Sequence, residues 1–197
     1  MIQVQRFTPA EAAALVDLSE KEVRKEIEYK VIDGELSSRP IGNGQANVGY
    51  ASPRLPFAAL VYLYLMRRSS LSLRSRERSI IYQRILQSIS QDEVPEQIEI
   101  VDPFYLRLGD GVAFLDDRVS RFLAWKEKLV SDPEIMGGRE TFPNSRLTVR
   151  RVGGMLERGV DAREILEDYP YLRPSDLEFA RLFVRAYPDT TIASANP

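Results

Sequence analysis

The chain of 197 residues contains no cysteine and no histidine. Without cysteine there can be no disulfide, no thiolate zinc site and no cysteine nucleophile. Without histidine there is no Ser-His-Asp triad, and the commonest general base is missing. Carboxylates remain, so a magnesium-dependent nuclease built on Asp and Glu is the main enzyme class left open. Long apolar runs are also missing. The longest, around Phe57 to Met66, is broken by tyrosines and ends at Arg67 and Arg68, short of the roughly 18 residues a membrane span needs. The first six residues, Met1-Ile2-Gln3-Val4-Gln5-Arg6, lack the apolar core of a signal peptide. A cytoplasmic location is therefore expected, with no membrane partner, no metal and no cofactor.

What is present is the composition of a folded protein, 44% hydrophobic and 28% charged. The net charge of -2 argues weakly against nucleic acid, but it hides an uneven distribution. Residues 1–90 carry 13 basic and 9 acidic side chains, residues 91–135 carry 5 and 11, and residues 136–197 carry 9 and 9. Arg54, Arg67, Arg68, Arg74, Arg76, Arg78 and Arg84 face only Glu77 within their stretch. A local arginine stripe of this kind is an electrostatic footprint for nucleic acid, because guanidinium groups suit bidentate contacts to phosphates and bases.

Four segments are expected. Residues 1–90 open with Thr8-Pro9-Ala10-Glu11, an N-cap with proline at the first helical position and a glutamate to complete the capping box. Asp17-Leu18 makes a turn, and Ser19 with Glu22 caps a second helix whose stripe is Val23, Ile27 and Val31. Two helices joined by a tight turn form a helix-turn-helix pattern. Residues 32–36 read as a turn into a hairpin or wing that returns through Val48-Gly49-Tyr50, followed by helices from Pro56 and from about Leu73 to Ile89. Residues 91–130 form an acidic connector. Here Gly109-Asp110-Gly111 is a hairpin turn between two alternating runs, and a helix follows from about Asp117. Residues 131–187 read as a helix closed by Gly159, a shorter helix capped by Asp161 and Glu164, and a last helix from Pro174. Residues 188–197 form a polar tail. The fold class is mainly α with small β elements (α+β), two helix-turn-helix-like units joined by a hairpin-containing linker.

Residues at the start of a recognition helix face the major groove. In the first unit these are Ser19, Glu20, Lys21, Arg24 and Lys25, with Arg39 on the wing. A solvated face with Glu20, Arg24 and Lys25 in local ion pairs accounts for the same residues equally well. Arg67, Arg68 and Arg74 are candidates for backbone phosphate contacts. Arg146, Arg150 and Arg151 gather where a loop enters a helix, which suits an anion, although Arg146 could equally brace the turn at Gly138. Asp102, Asp110, Asp116 and Asp117 are the best carboxylates for a metal, but read more readily as turn and cap residues. The Tyr169-Pro170-Tyr171 turn reads as core and helix punctuation.

The last sixty residues resemble a known antitoxin domain. Asp132-Pro133, Gly137-Gly138-Arg139, Asn144-Ser145-Arg146-Leu147-Thr148-Val149, Gly159, Glu164-Ile165-Leu166 and Tyr169-Pro170-Tyr171-Leu172 stand in the order and spacing of a VapB-type antitoxin. The domain in question is its C-terminal helix-turn-helix of the domain-of-unknown-function 433 family. Glu140, Asn144 and Ser145 depart from the Pro, Gly and Thr usual there. Asn tolerates the left-handed backbone conformation, so the turn can survive. Residues 8–13, Thr-x-x-Glu-Ala-Ala in pattern, resemble the opening of a MerR- or excisionase-type winged helix-turn-helix. Together the resemblances imply a homodimeric type II antitoxin that binds a PIN-type ribonuclease toxin and represses its own operon by binding operator DNA. The toxin-blocking segment is then Asp116 and Asp117 or the tail Pro188 to Pro197. A freestanding transcriptional regulator is the alternative.

Overall fold

The structure is a computed structural model that describes residues 5–36, 53–69, 71–89 and 94–188. Among these, eight α-helices and two small antiparallel sheets account for the regular structure, so the fold is mainly α with small β elements. The chain divides into two compact units, Met1–Asp117 and Arg118–Pro197. Residues 91–130, expected as one connector, are shared between them. No helix among the described residues is long and apolar enough to cross a membrane.

In the first unit, strand β1 (Arg6–Phe7) leads into helix α1 (Pro9–Leu15) through a reciprocal capping box. The Glu11 N–H donates to the Thr8 hydroxyl at 3.1 Å, and the Thr8 N–H donates to the Glu11 carboxylate at 2.8 Å. Ala12, Ala13 and Ala14 are buried, and small side chains let α1 lie close against α2 (Glu20–Glu28). Between them Asp17 takes a left-handed conformation, φ 56°, and the Leu18 N–H returns to the Ala13 carbonyl at 2.9 Å. Ser19 and Glu22 repeat the box at the start of α2. That helix stops before Val31. Lys30 turns left-handed, φ 53°, and the Val31 N–H bonds back to the Glu26 carbonyl at 2.9 Å. Val31 and Ile32 therefore enter the core from a loop and not, as the stripe predicts, from the helix.

Strand β2 (Glu35–Leu36) pairs with β3 (Pro53–Pro56), which also pairs with β1, giving the order β1-β3-β2. The expected return strand at Val48–Tyr50, and Arg39, lie outside the described residues; the return pairing that is described comes from β3. Helix α3 (Phe57–Arg68) follows at once. Its seven residues from Phe57 to Leu63 are all buried, which makes it the central helix of the unit. Helix α4 (Ser75–Ile89) packs on it through Ile81, Tyr82 and Ile85. The Tyr62 and Tyr82 rings meet edge to face at 5.8 Å.

The hairpin of β4 (Gln97–Val101) and β5 (Phe104–Arg107) turns at Asp102-Pro103, whose peptide bond is cis. The turn expected at Gly109–Gly111 is instead the start of α5 (Gly109–Lys126). The helical spacing of Leu108, Leu115, Val119, Phe122 and Trp125, all buried, outweighs the local glycines. A Cβ on Gly111 would stand 3.2 Å from Leu65, so that glycine lets α5 approach α3 and does not mark a turn. Asp116 and Asp117 lie inside α5 on exposed positions, not at a cap.

The second unit is built around an aromatic cluster. Trp125 has Phe122, Phe142, Phe179 and Phe183 within 5.7–6.3 Å, centroid to centroid. Thr141 forms isolated antiparallel bridges with Val130 and with Thr148. Helix α6 (Val149–Glu157) starts at the Thr148 cap and ends at left-handed Gly159, φ 85°. Helix α7 (Ala162–Asp168) is capped by Asp161. Its cap bonds the Arg163 N–H, so the capping box expected with Glu164 is replaced by a single capping bond. Helix α8 (Pro174–Ala186) packs along α6.

Candidate nucleic-acid interface

The capping boxes fix where α1 and α2 begin, and the turn at Asp17 sets which face of α2 meets solvent. Val23 is fully buried, while Lys21, Arg24 and Lys25 are exposed. Together with Glu20 and Glu28 they line one shallow outer surface. Arg24 donates to Glu20 at 2.7 Å, one helical turn back. Lys21 and Lys25 are the cations of this face least committed to neighbours. Ser19 is exposed, and its hydroxyl and N–H both donate to the Glu22 carboxylate at 2.7 Å. These bonds hold the Glu22 carboxyl below its ordinary value.

The arginine stripe does not form one surface. Arg67 donates to the Val16 carbonyl at 2.7 Å and pairs with Asp17 at 3.6 Å, which ties α3 to the turn between α1 and α2. Arg78 pairs with Glu26 and also donates to Ser75. Glu26 in turn accepts from the buried Tyr62 hydroxyl at 3.0 Å. Burial first, then the adjacent Glu26, pushes Tyr62 far above its ordinary pKa. Arg54 pairs with Glu11 at 3.7 Å. The partners of these arginines lie on α1, on α2 or in the turn between them, so counting charges within the stripe alone missed them. Arg68 lies over the Tyr64 ring at 5.4 Å. Arg74, Arg76 and Arg84 are exposed.

In the second unit Arg146 and Arg151 are exposed near the start of α6, and Arg150 lies over the Phe183 ring at 5.7 Å. The Gly138 turn is held by the Ser131 hydroxyl, which donates to the Gly138 carbonyl at 2.7 Å. Asn144 is left-handed, φ 55°, as its place in the turn requires. The outward face of α7 carries Glu164, Glu167 and Asp168 with Arg163. On α8, Arg181 is held by Glu157 at 2.8 Å. Tyr171 is 54% exposed, so that turn is not core.

Asp102 sits on the hairpin turn, Asp110 in the first turn of α5, and Asp116 and Asp117 further along it. No group of three acidic side chains among the described residues could hold a metal ion. Of the tail, only Pro188 falls among the described residues.

Sequence reasoning missed one feature entirely. A groove of about 810 Å³ in the second unit has an aromatic floor, Trp125, Phe142 and Phe179, and a rim that includes Arg121, Lys128 and Arg173. The Trp125 indole N–H donates to Asp176 at 2.9 Å across this groove, from a partner 51 residues away in sequence.

No curated protein matches the chain. Among solved structures, the crystal structure of Rv2018 from Mycobacterium tuberculosis aligns at 18% identity with a TM-score of 0.36, over 90% of this chain and 100% of that one. Residues 129–184, which take in α6, α7 and most of α8, match the family described as Protein of unknown function (DUF433).

Proposed function

We propose that the chain is the antitoxin of a type II toxin-antitoxin pair, which binds and neutralises a PIN-type ribonuclease and represses its own operon as a dimer on operator DNA. The toxin side of this reading rests on the resemblance of residues 131–187 to VapB-type antitoxins. The DNA side is supported by one observation above the others. Helix α2 follows a tight turn and exposes Lys21, Arg24 and Lys25, whereas the outward face of α7 is mainly acidic. Phosphates repel the second surface; on the first, Lys21, Arg24 and Lys25 stand among Glu20 and Glu28 and outnumber them. We therefore assign base reading to α2, with β2 and β3 in the wing, and toxin binding to residues outside that helix.

The test is to purify the chain with the product of the neighbouring gene. The proposal expects the two to co-elute, the complex to shift its own promoter DNA, and ribonuclease activity to emerge only when this chain is removed. A promoter shift by the chain alone, with no co-eluting partner, would leave a freestanding regulator in its place.

A further inference from the structure

The hairpin β4–β5 carries an apolar face that outruns its cover. Ile98 pairs with Leu106 across the strands, and beyond the irregularity between Glu99 and Val101, Val101 pairs with Phe104. Cross-strand partners lie on the same face, as do alternate residues of one strand. These four side chains therefore form one apolar row. Ile98 is 8% exposed, at the end where α4 packs on β4. At the other end Val101 is 60% and Phe104 69% exposed. Glu99 and Asp102, both exposed, flank this tip, and Tyr105, opposite Glu99, is 54% exposed. A two-stranded ribbon is marginal alone, and such a tip gains by being covered.

The groove of the second unit has the reverse chemistry. Its floor is aromatic, its rim holds Arg121, Lys128 and Arg173, and its carboxylate, Asp176, already accepts from Trp125 and from the Arg173 N–H. Arg121 also pairs with Glu178 at 4.0 Å, an ion pair half open to water. Trp125, Phe142 and Phe179 are each under 8% exposed. So recessed a floor has no open ring faces for the stacked bases of single-stranded nucleic acid and lies out of reach of a duplex backbone; it can take only the end of one apolar side chain entering between the rim residues. A peptide with an apolar anchor between carboxylates fits both floor and rim, and the hairpin tip has that chemistry.

We infer that the apolar row at the tip of one copy, Val101 and Phe104, seats in the Trp125 groove of a second copy, with the flanking Glu99 and Asp102 against Lys128 and Arg173. A two-fold pair makes the contact twice. A wholly buried aromatic removes about 150–250 Å² from water, and Phe104 still has 69% of its surface to bury. Made twice, the contact stays below the ~1,200 Å² at which stable interfaces begin, so the pairing is a weak one held by charge complementarity around an apolar anchor. This deepens the dimer of the proposed function but needs neither operator nor toxin, since a chain that shifts no DNA can still pair in this way.

Sedimentation velocity on the full chain tests it, with emission from Trp125, the single tryptophan, as a second readout at the groove. Phe104→Asp is expected to weaken self-association at least about tenfold. So are the tip reversal Glu99→Lys with Asp102→Lys and the groove reversal Lys128→Glu with Arg173→Glu, each with an unchanged circular dichroism spectrum. Mixed one to one, the two reversed proteins are expected to associate again, because their charges are then complementary. A wild-type chain that stays monomeric, a dimer that neither reversal weakens, or reversed proteins that do not recover on mixing would overturn the inference. The last outcome would give the groove to another partner.

Discussion

Gly153 stands where α6 crosses α8. A Cβ there would come within 2.5 Å of the Ala180 carbonyl oxygen and of a Val184 methyl. Its neighbour Gly154 meets only the far end of the Arg158 side chain, at 3.4 Å. The two glycines read alike in the sequence and should behave oppositely. Gly153→Ala is expected to cost about 1–3 kcal/mol through overpacking. Gly154→Ala should be neutral or stabilise by up to about 1 kcal/mol, since alanine is the better helix former. Thermal melting of the two variants checks this, and equal melting temperatures would contradict the close crossing. Tyr62 gives a second test at this scale. Its folded-state pKa lies above the ordinary 10.0, so above that pH the unfolded chain releases a proton that the folded chain keeps. Stability from this group is complete below pH 10 and declines as pH rises beyond it. Tyr62→Phe should flatten that decline in melts between pH 8 and 11. At neutral pH it should cost about 1.5–3 kcal/mol, the worth of a hydrogen bond to a charged acceptor.

At the scale of elements, most helix starts and stops that depended on residues three or four apart were legible, although the Asp161–Glu164 box did not form and the Val23–Val31 stripe outran α2. Both capping boxes of α1 and α2, the Gly159 stop and the Pro174 start stand where the sequence placed them. Errors arose where short-range signals conflicted. At Gly109–Gly111 a turn motif competed with a helical period set by Leu108, Leu115 and Val119, and burial decided for the helix. Side-chain roles set by long-range partners were not legible. Arg67 finds the Val16 carbonyl 51 residues away, and Arg78 finds Glu26 52 away. Two arginines read as phosphate candidates thus act as braces of the α1–α2 turn and of α2. Arg67→Ala should lower the stability of the first unit by about 1–2 kcal/mol. Lys21→Ala and Lys25→Ala, on an open helix face, should stay within about 0.5 kcal/mol of wild type in denaturant unfolding. A stability-neutral Arg67→Ala would return that residue to the candidate DNA surface.

For the molecule as a whole, the net charge of -2 is a poor guide, because charge is unevenly spread along the chain, basic over residues 1–90 and acidic over residues 91–135. The division into two units at Asp117 falls inside an uninterrupted helix, which carries no composition shift, proline or glycine linker to mark it. The groove around Trp125 was equally hidden, since α5, the loop at Phe142 and the start of α8 each contribute part of it. The proposal that α2 docks this chain on its own promoter can be tested by fluorescence anisotropy with promoter DNA across a salt series, comparing wild type with Lys21→Ala plus Lys25→Ala. Salt-dependent binding is expected of the wild type. For the variant, binding is expected to be weaker and the log–log salt slope shallower by about 0.9 for each phosphate that the variant no longer neutralises. No binding by the wild type, or binding whose affinity and slope the two substitutions leave unchanged, would contradict the proposal.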